Sequence, residues 1–355
     1  MEFFDMSSNQ QRGRNALLGL AMGDSLSWTS MFHRSVLLPP WTRRIRREMD
    51  AASESNNVIV TPMPFSLNQP AEHFDLSPAL CTEWSAFTAE TLLHSGPERF
   101  AEELLIQWRE LADSPNPVRG YVSTQGALQN IRNGILPPQS GRQHPHYFDD
   151  SALLRAVPIG VYCGSDGTLA ARLAGLDAAV TNSEDGIWGA QSVAVTVGQL
   201  TAGSTIDAAM RQGIAVLPEG SWIRRSVDEA FRITAGASAV VPLIPELQRK
   251  IVNREYSYGN VAAETLALAF AIVKLHGSEF NSALSDATAF PKSAESLPSL
   301  VGALAGAHSN VPVAGRAWTD SITTLKGIAL PAFVGKNYLS IIEEVLQHAE
   351  NRRTS

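Results

Sequence analysis

Only two of the 355 residues are cysteine, Cys81 and Cys163. They cannot form a disulfide framework, and they suit a reducing compartment. No run of about 18 uninterrupted apolar residues occurs, which argues against a membrane-spanning helix. The opening MEFFDMSSNQQRGRN is acidic and polar and lacks the apolar stretch of a secretory leader. The expectation is a cytoplasmic protein. Positive charge is in deficit: 28 Lys and Arg stand against 35 Asp and Glu, a net charge of −7. That balance argues against nucleic acid as a partner. There is no Walker loop, GxGxxG, HExxH, CxxC pair or GxSxG, so the common signatures of phosphate loops, dinucleotide folds, zincins and hydrolase elbows are missing. The eight His residues are scattered. His94 and His348, near expected helix C-termini, read as dipole partners rather than ligands. Alternating Val/Ile/Thr runs are scarce, so strands are not expected.

What is present is helix. Apolar residues recur at helical spacing over 11–28, 81–95, 97–113, 123–133, 151–163, 168–181, 184–202, 204–216, 222–235, 260–276, 278–287, 296–308 and 337–350. With 44% hydrophobic and 18% charged residues the chain can bury one large core. Small residues crowd GLAMGD, AAETLALAFA and GALAGA, which lets helix axes approach closely. The fold class expected is all-α, a single compact multi-helix domain. A tail (1–14), a main body (15–335) and a C-terminal helix and tail (336–355) divide the chain. Two long loops, 35–78 and 134–150, interrupt the helical rhythm and are expected at a cleft.

Several constellations could carry chemistry. In LCTEWSAFTAETLLH (80–94), Thr82 reads as an N-cap before an apolar helical face. In GLAMGDSLSW, Gly19 and Gly23 imply close approach by another backbone, because Gly costs a helix about 1 kcal/mol relative to Ala. Asp24 behind them is either a site residue or a locally bonded one. Asp149, Asp150 and Ser151 precede an apolar helix. Capping explains them, but adjacent carboxylates there could also do acid/base work or face a ligand. Arg155 inside that apolar run needs an internal acid, with Asp24 and Asp150 as the candidates. Arg43, Arg44, Arg46 and Arg47 read as a solvated helix face, with phosphate recognition as the alternative.

Taken together these segments resemble the ADP-ribosylglycohydrolase family. NALLGLAMGDSLS (15–27) is similar to the family's opening GALLGLAIGDALG, and ALCTEWSAFTAETLL (79–93) to TDDTQMALALAESLL. DDSALLRAVPIGV (149–161) resembles GNGAAMRVAPLGL, and VTNSEDGIWGAQ (180–191) its TH…GA segment. SAESLPSLVGALAGAHSNVPVAGRAW (293–318) is similar to DTDTVAAIAGALAGAYYG…IP…W. The resemblance implies an all-α fold and a cleft built for two Mg²⁺ ions that position a ribose and activate water. Laid residue by residue on this chain, the first ligand triplet becomes Ala79, Leu80 and Cys81. Ser293, Glu295 and Ser296 stand for the second set, Met31 for the further Glu, and Asn182 for the His. Ala, Leu and Met cannot ligate Mg²⁺ and Cys is too soft, so no binuclear site and no other cofactor is expected.

Three functions are weighed. The first is a metal-independent enzyme acting on a ribosylated or nucleotide-like small molecule, with glycosidic hydrolysis as the candidate reaction. Asp149, Asp150 and Glu295 would supply the acid and base. Asp24, Trp28, Glu83, Trp84, Ser151, Asn182, Trp188, Ser293 and Ser296 would line the ligand site, the tryptophans as stacking platforms. The second is a pseudoenzyme that binds ADP-ribose or a related nucleotide without turnover. The third is a structural or interaction protein whose cleft is filled, with Leu80 and Trp84 entering the former metal corner.

Overall fold

The computed structural model describes residues 7–36, 55, 77–256, 259–290 and 292–354, without the side chains of 27–36 and 353–354. The loop expected over 35–78 and its arginine cluster therefore lie almost wholly outside the described residues, as does the Met31 side chain. The helices are α1 (Ser8–Val36), α2 (Leu80–Asp113), α3 (Val122–Arg132), α4 (Gln139–Arg142), α5 (Ser151–Cys163), α6 (Gly167–Ala178), α7 (Asp185–Thr201) and α8 (Ile206–Ala215). They continue with α9 (Trp222–Thr234), α10 (Ile244–Lys250), α11 (Ala262–His276), α12 (Phe280–Ala287), α13 (Leu297–His308), α14 (Arg316–Ile322) and α15 (Tyr338–Thr354). Among the described residues there is no sheet, only two isolated bridges, Asp149 to Val261 and Thr324 to Asn337. The fold is all-α, as the periodicity predicts. The short helices α4, α10 and α14 were not anticipated, because one or two turns carry too little periodicity to register.

The centre of the fold is an unusually close helix pair. A Cβ placed on Gly302 of α13 would sit 2.1 Å from the Gly19 carbonyl oxygen of α1. One placed on Gly23 would sit 2.2 Å from the Pro298 oxygen, and one on Gly306 2.2 Å from the Asn15 oxygen. The two backbones touch, so the glycines recover their helix-propensity cost as contact between main chains. Around this pair α5, α7 and α11 are almost entirely buried. The last helix is part of the same core, burying Tyr338, Ile341, Ile342, Val345 and Leu346.

Helix α2 is bent. Gly96 takes φ +66°, a left-handed value that favours glycine, and Pro97 restarts the helix beyond it. The two arms match the separate helices predicted for 81–95 and 97–113. The expected cap at Thr82 is corrected. The helix begins two residues earlier, at Leu80, and Ala79 is its N-cap. Thr82 lies inside the first turn, where its hydroxyl donates to Asp24 rather than to its own helix.

This packing brings the N-termini of α2 and α13 beside Asp24 of α1 and joins those of α5 and α11 to the same corner through the Thr265–Asp150 hydrogen bond and the Asp149–Val261 bridge. Their partial positive charges converge on one acidic corner.

Candidate functional site

Asp24 is buried, and its Oδ2 accepts three hydrogen bonds. They come from the backbone N–H groups of Ala79 (2.9 Å) and Thr82 (2.8 Å) and from the Thr82 hydroxyl (2.6 Å). It ties the middle of α1 to the first turn of α2. Burial pushes its carboxyl pKa up despite these donors. Cys81 occupies the heart of the corner. Its sulfur lies 3.2 Å from the Tyr121 hydroxyl, and its thiol donates to the Glu295 carbonyl (3.4 Å). Burial, reinforced by Asp24, raises the thiol pKa well above its usual value. In this setting it stays a neutral thiol at physiological pH. Tyr121 continues the chain to the Ser296 hydroxyl (3.3 Å), which also accepts from Asn260 Nδ2 (3.0 Å).

Two carboxyls stand out here. Asp150 is fully buried and accepts from the Thr265 hydroxyl (2.7 Å), while its Oδ1 has no partner among the described residues. Its pKa is pushed up to about 7, first by burial and then by Asp149. Glu295 is partly buried, and its carboxylate has no hydrogen-bond or ion-pair partner among the described residues. Burial, with Asp24 and Asp149 nearby, raises it to about 7 as well. Ser293 and Ser299 are buried with hydroxyls that likewise find no partner among the described residues. Unpaired buried oxygens cost stability and gather where ligands or reacting groups are handled.

The other expected site residues do different work. Asp149 is saturated. It accepts from the Ser123 backbone N–H (3.0 Å) and hydroxyl (2.7 Å), the Ser151 N–H (3.1 Å) and Asn182 Nδ2 (3.0 Å). It therefore anchors the first turns of both α3 and α5 rather than moving protons. Ser151 and Asn182 belong to this network, with the Ser151 hydroxyl donating to Asn182 Oδ1 (2.8 Å). Asn182 also donates to the carbonyls of Tyr147 (3.1 Å) and Asp149 (3.0 Å). Every polar atom of Asn182 is spent inside the protein.

The Arg155 pairing predicted with Asp24 or Asp150 is wrong. Its Nε meets Asp177 Oδ2 at 2.7 Å, both side chains 1% exposed, and its Nη2 donates to Thr181 (2.8 Å). Glu83 faces away from the corner. It accepts from the N–H groups of Ile328 (2.9 Å), Ala329 (2.7 Å) and Leu330 (2.9 Å), pinning a distant turn. Trp84 is a core residue rather than a platform. It stacks on Trp108 (5.1 Å, 13°) and donates to the Arg119 carbonyl (3.1 Å). Trp188 is partly buried against the core on α7. Trp28 lies on α1, and its side chain is outside those described.

The structure adds Tyr121, Asn260, Thr265 and Ser299, which sequence reasoning missed. Thr265 had a readable signal: it is one of few polar residues on the otherwise apolar α11. The loop leading into α5 carries a second group, a half-buried aromatic ledge. Phe148 meets Tyr256 at 4.9 Å and Tyr147 at 5.3 Å, both edge-on. Glu184, in the neighbouring turn, holds φ +48°, a strained value for a non-glycine residue.

The donor set decides what the corner could hold. Ala79 and Leu80 offer no ligand atom, Cys81 is a neutral thiol, and Ser293 and Ser296 are hydroxyls. Among the described residues no group of three or more His, Cys, Asp or Glu side chains is placed to hold a metal ion. This set does not fit a pair of hard divalent cations, which call for clustered carboxylates. No helix among the described residues is long and apolar enough to cross a membrane.

Comparison with known proteins agrees with this architecture. No curated protein sequence matches the chain. A solved structure described as an ADP-ribosylglycohydrolase-related protein complex superposes with a TM-score of 0.57 at 16% identity. It covers 97% of this chain and 99% of its own, a likeness of fold. The sequence profile of the ADP-ribosylglycohydrolase family matches residues 5–350, and the chain belongs to that family.

Proposed function

We propose that the protein is a metal-independent hydrolase on the ADP-ribosylglycohydrolase scaffold, acting on a ribosylated or nucleotide-like small molecule in the cytoplasm. The binuclear metal site of the family does not form here, because its ligand positions carry Ala79, Leu80, Cys81 and Ser293. One observation carries the catalytic reading: Glu295 is a partly accessible carboxylate with no hydrogen-bond or ion-pair partner among the described residues, in a corner whose other described acids are buried or bonded. A carboxyl that titrates near 7 suits general acid catalysis at physiological pH. Protonated Glu295 donates to the leaving atom as the glycosidic bond breaks, and water attacks the anomeric carbon, giving up its proton to the Glu295 carboxylate that the first transfer leaves. Burial, with Asp24 and Asp149 nearby, sets how readily Glu295 gives up its proton. The Tyr147–Phe148–Tyr256 ledge offers a surface for a planar ring.

The test is turnover of ADP-ribosyl-arginine, O-acetyl-ADP-ribose and free nucleosides with EDTA present. Activity should persist in EDTA. Glu295→Gln should lower kcat by about 10²–10⁴-fold, the usual worth of a positioned acid, with no fall in Tm. Activity lost in EDTA and restored by Mg²⁺, or full activity in the Gln variant, would overturn the assignment. A second reading rests on the saturation of Asp149 and the burial of Asp150. With Glu295 the only accessible candidate, the corner would bind ADP-ribose without turning it over. Calorimetric binding with no product in any assay would favour this reading, and no heat with any ligand would favour a filled cleft.

A further inference from the structure

The bend in α2 creates a second concave surface, far in character from the corner around Glu295. The two arms of α2, the turn 330–336 and the face of α15 enclose a groove of about 760 Å³. That is within the size range of small-molecule sites. Phe87, Leu111, Leu330 and Phe333 give it an apolar floor. Its walls carry four carboxylates, Glu90, Glu103, Glu110 and Glu344.

The one lysine in the groove is already engaged. Lys336 Nζ pairs with Glu90 and lies 4.0 Å over the Phe333 ring. Glu103 is 8% exposed, and its one partner among the described residues is the Gln107 amide, which donates at 2.9 Å. Its second oxygen has none. His94 and His348 complete the rim. The groove thus presents three carboxylates without cationic partners among the described residues, above an apolar floor.

We propose that this groove binds a linear organic polycation of the polyamine class, with ammonium groups separated by methylene segments. The spacing of the acids selects this chemistry: Glu103 and Glu110 stand two turns apart on α2, about 10 Å along its axis, and Glu344 lies on α15. Among the described residues no three acidic, His or Cys side chains converge on one ion, so a compact metal cation would engage the carboxylates only singly. A chain with separated charges reaches several of them through charge-assisted hydrogen bonds. Its methylenes cover the floor, and the Phe87 and Phe333 rings favour nearby cations.

The test is isothermal titration calorimetry of the full chain with spermidine at about 150 mM NaCl, an ionic strength that screens exposed charge. One saturable site per chain is expected. Glu110→Gln, on the exposed rim, should weaken binding at least five-fold, and Glu103→Gln/Glu110→Gln at least ten-fold. Glu219→Gln, an exposed acid elsewhere, should leave binding unchanged. If the double variant fails to fold by circular dichroism, Glu110→Gln alone decides. The proposal is overturned by absence of a saturable site, by displacement of spermidine with Mg²⁺ at equal ionic strength, or by equal affinity in Glu110→Gln and Glu219→Gln.

Discussion

Replacing Asp150 by Asn is expected to stabilise the protein above neutrality. The native side chain is fully buried, receives one hydrogen bond from Thr265 and has a carboxyl raised from 3.8 to about 7. A folded-state pKa above the unfolded value means that the folded protein keeps a proton the unfolded chain has released. The stability linked to this group is complete below about pH 4 and is lost as the pH climbs to about 7. A rise of about three units corresponds to an upper bound of roughly 4 kcal/mol. Coupling to Glu295, itself raised to about 7, and local relaxation reduce the expected gain to about 2 kcal/mol. Asn has the same shape, carries no charge and keeps an oxygen for the Thr265 hydroxyl. With unfolding entropy of about 2.1 cal/mol/K per residue, 2 kcal/mol in a chain of this length moves Tm by roughly 3 °C. Differential scanning calorimetry of both proteins from pH 4 to 8.5 checks this. The variant should melt about 3 °C higher at pH 8, and the two should converge near pH 4. A variant that melts lower at pH 8, or a gap independent of pH, would refute the reasoning.

The remaining predictions concern the scaffold. Gly302→Ala drives a methyl group into the Gly19 carbonyl at 2.1 Å and should cost about 3 kcal/mol or more in denaturant unfolding. Gly167→Ala, whose nearest contact would be an ordinary 3.6 Å, should be neutral or stabilising, and equal losses in the two would sink the close-packing argument. Arg155→Met strands Asp177 without its partner and should cost about 3–5 kcal/mol, much of it recovered in Arg155→Met/Asp177→Leu. A double variant no more stable than the single one would speak against a desolvated charge as the cause. Glu83→Gln leaves amides of the 328–330 turn underbonded, at about 1–3 kcal/mol. Hydrogen exchange at Ile328, Ala329 and Leu330 should accelerate, and unchanged protection there would show that the turn is held otherwise.

What could be read from the sequence follows from how local each signal is. The Gly19–Gly23 spacing announced a backbone contact because glycine in a helix interior has few other uses, and the contact is there with Gly302 and Pro298. The break between the helices expected over 81–95 and 97–113 falls where α2 bends, at Gly96. Side-chain partners were less legible because they are chosen in three dimensions. Arg155 demanded an internal acid, but nothing in the order of residues ranks Asp177 above Asp24 or Asp150. The distinction depends on which face of α5 meets α6. Asp149 and Asp150 show the limit most sharply. They are adjacent, chemically identical and equally good candidates on paper. One step along the backbone places Asp149 among four donors and leaves Asp150 with the Thr265 hydroxyl and an Oδ1 that has no partner among the described residues, and burial drives Asp150 to about 7. Glu83 and Glu295 divide in the same way. Glu83 meets three backbone amides and becomes a brace, whereas Glu295 meets none and stays available. Composition identifies which residues can carry a proton; donor supply, set by the convergence of helix N-termini from distant parts of the chain, selects the ones that do.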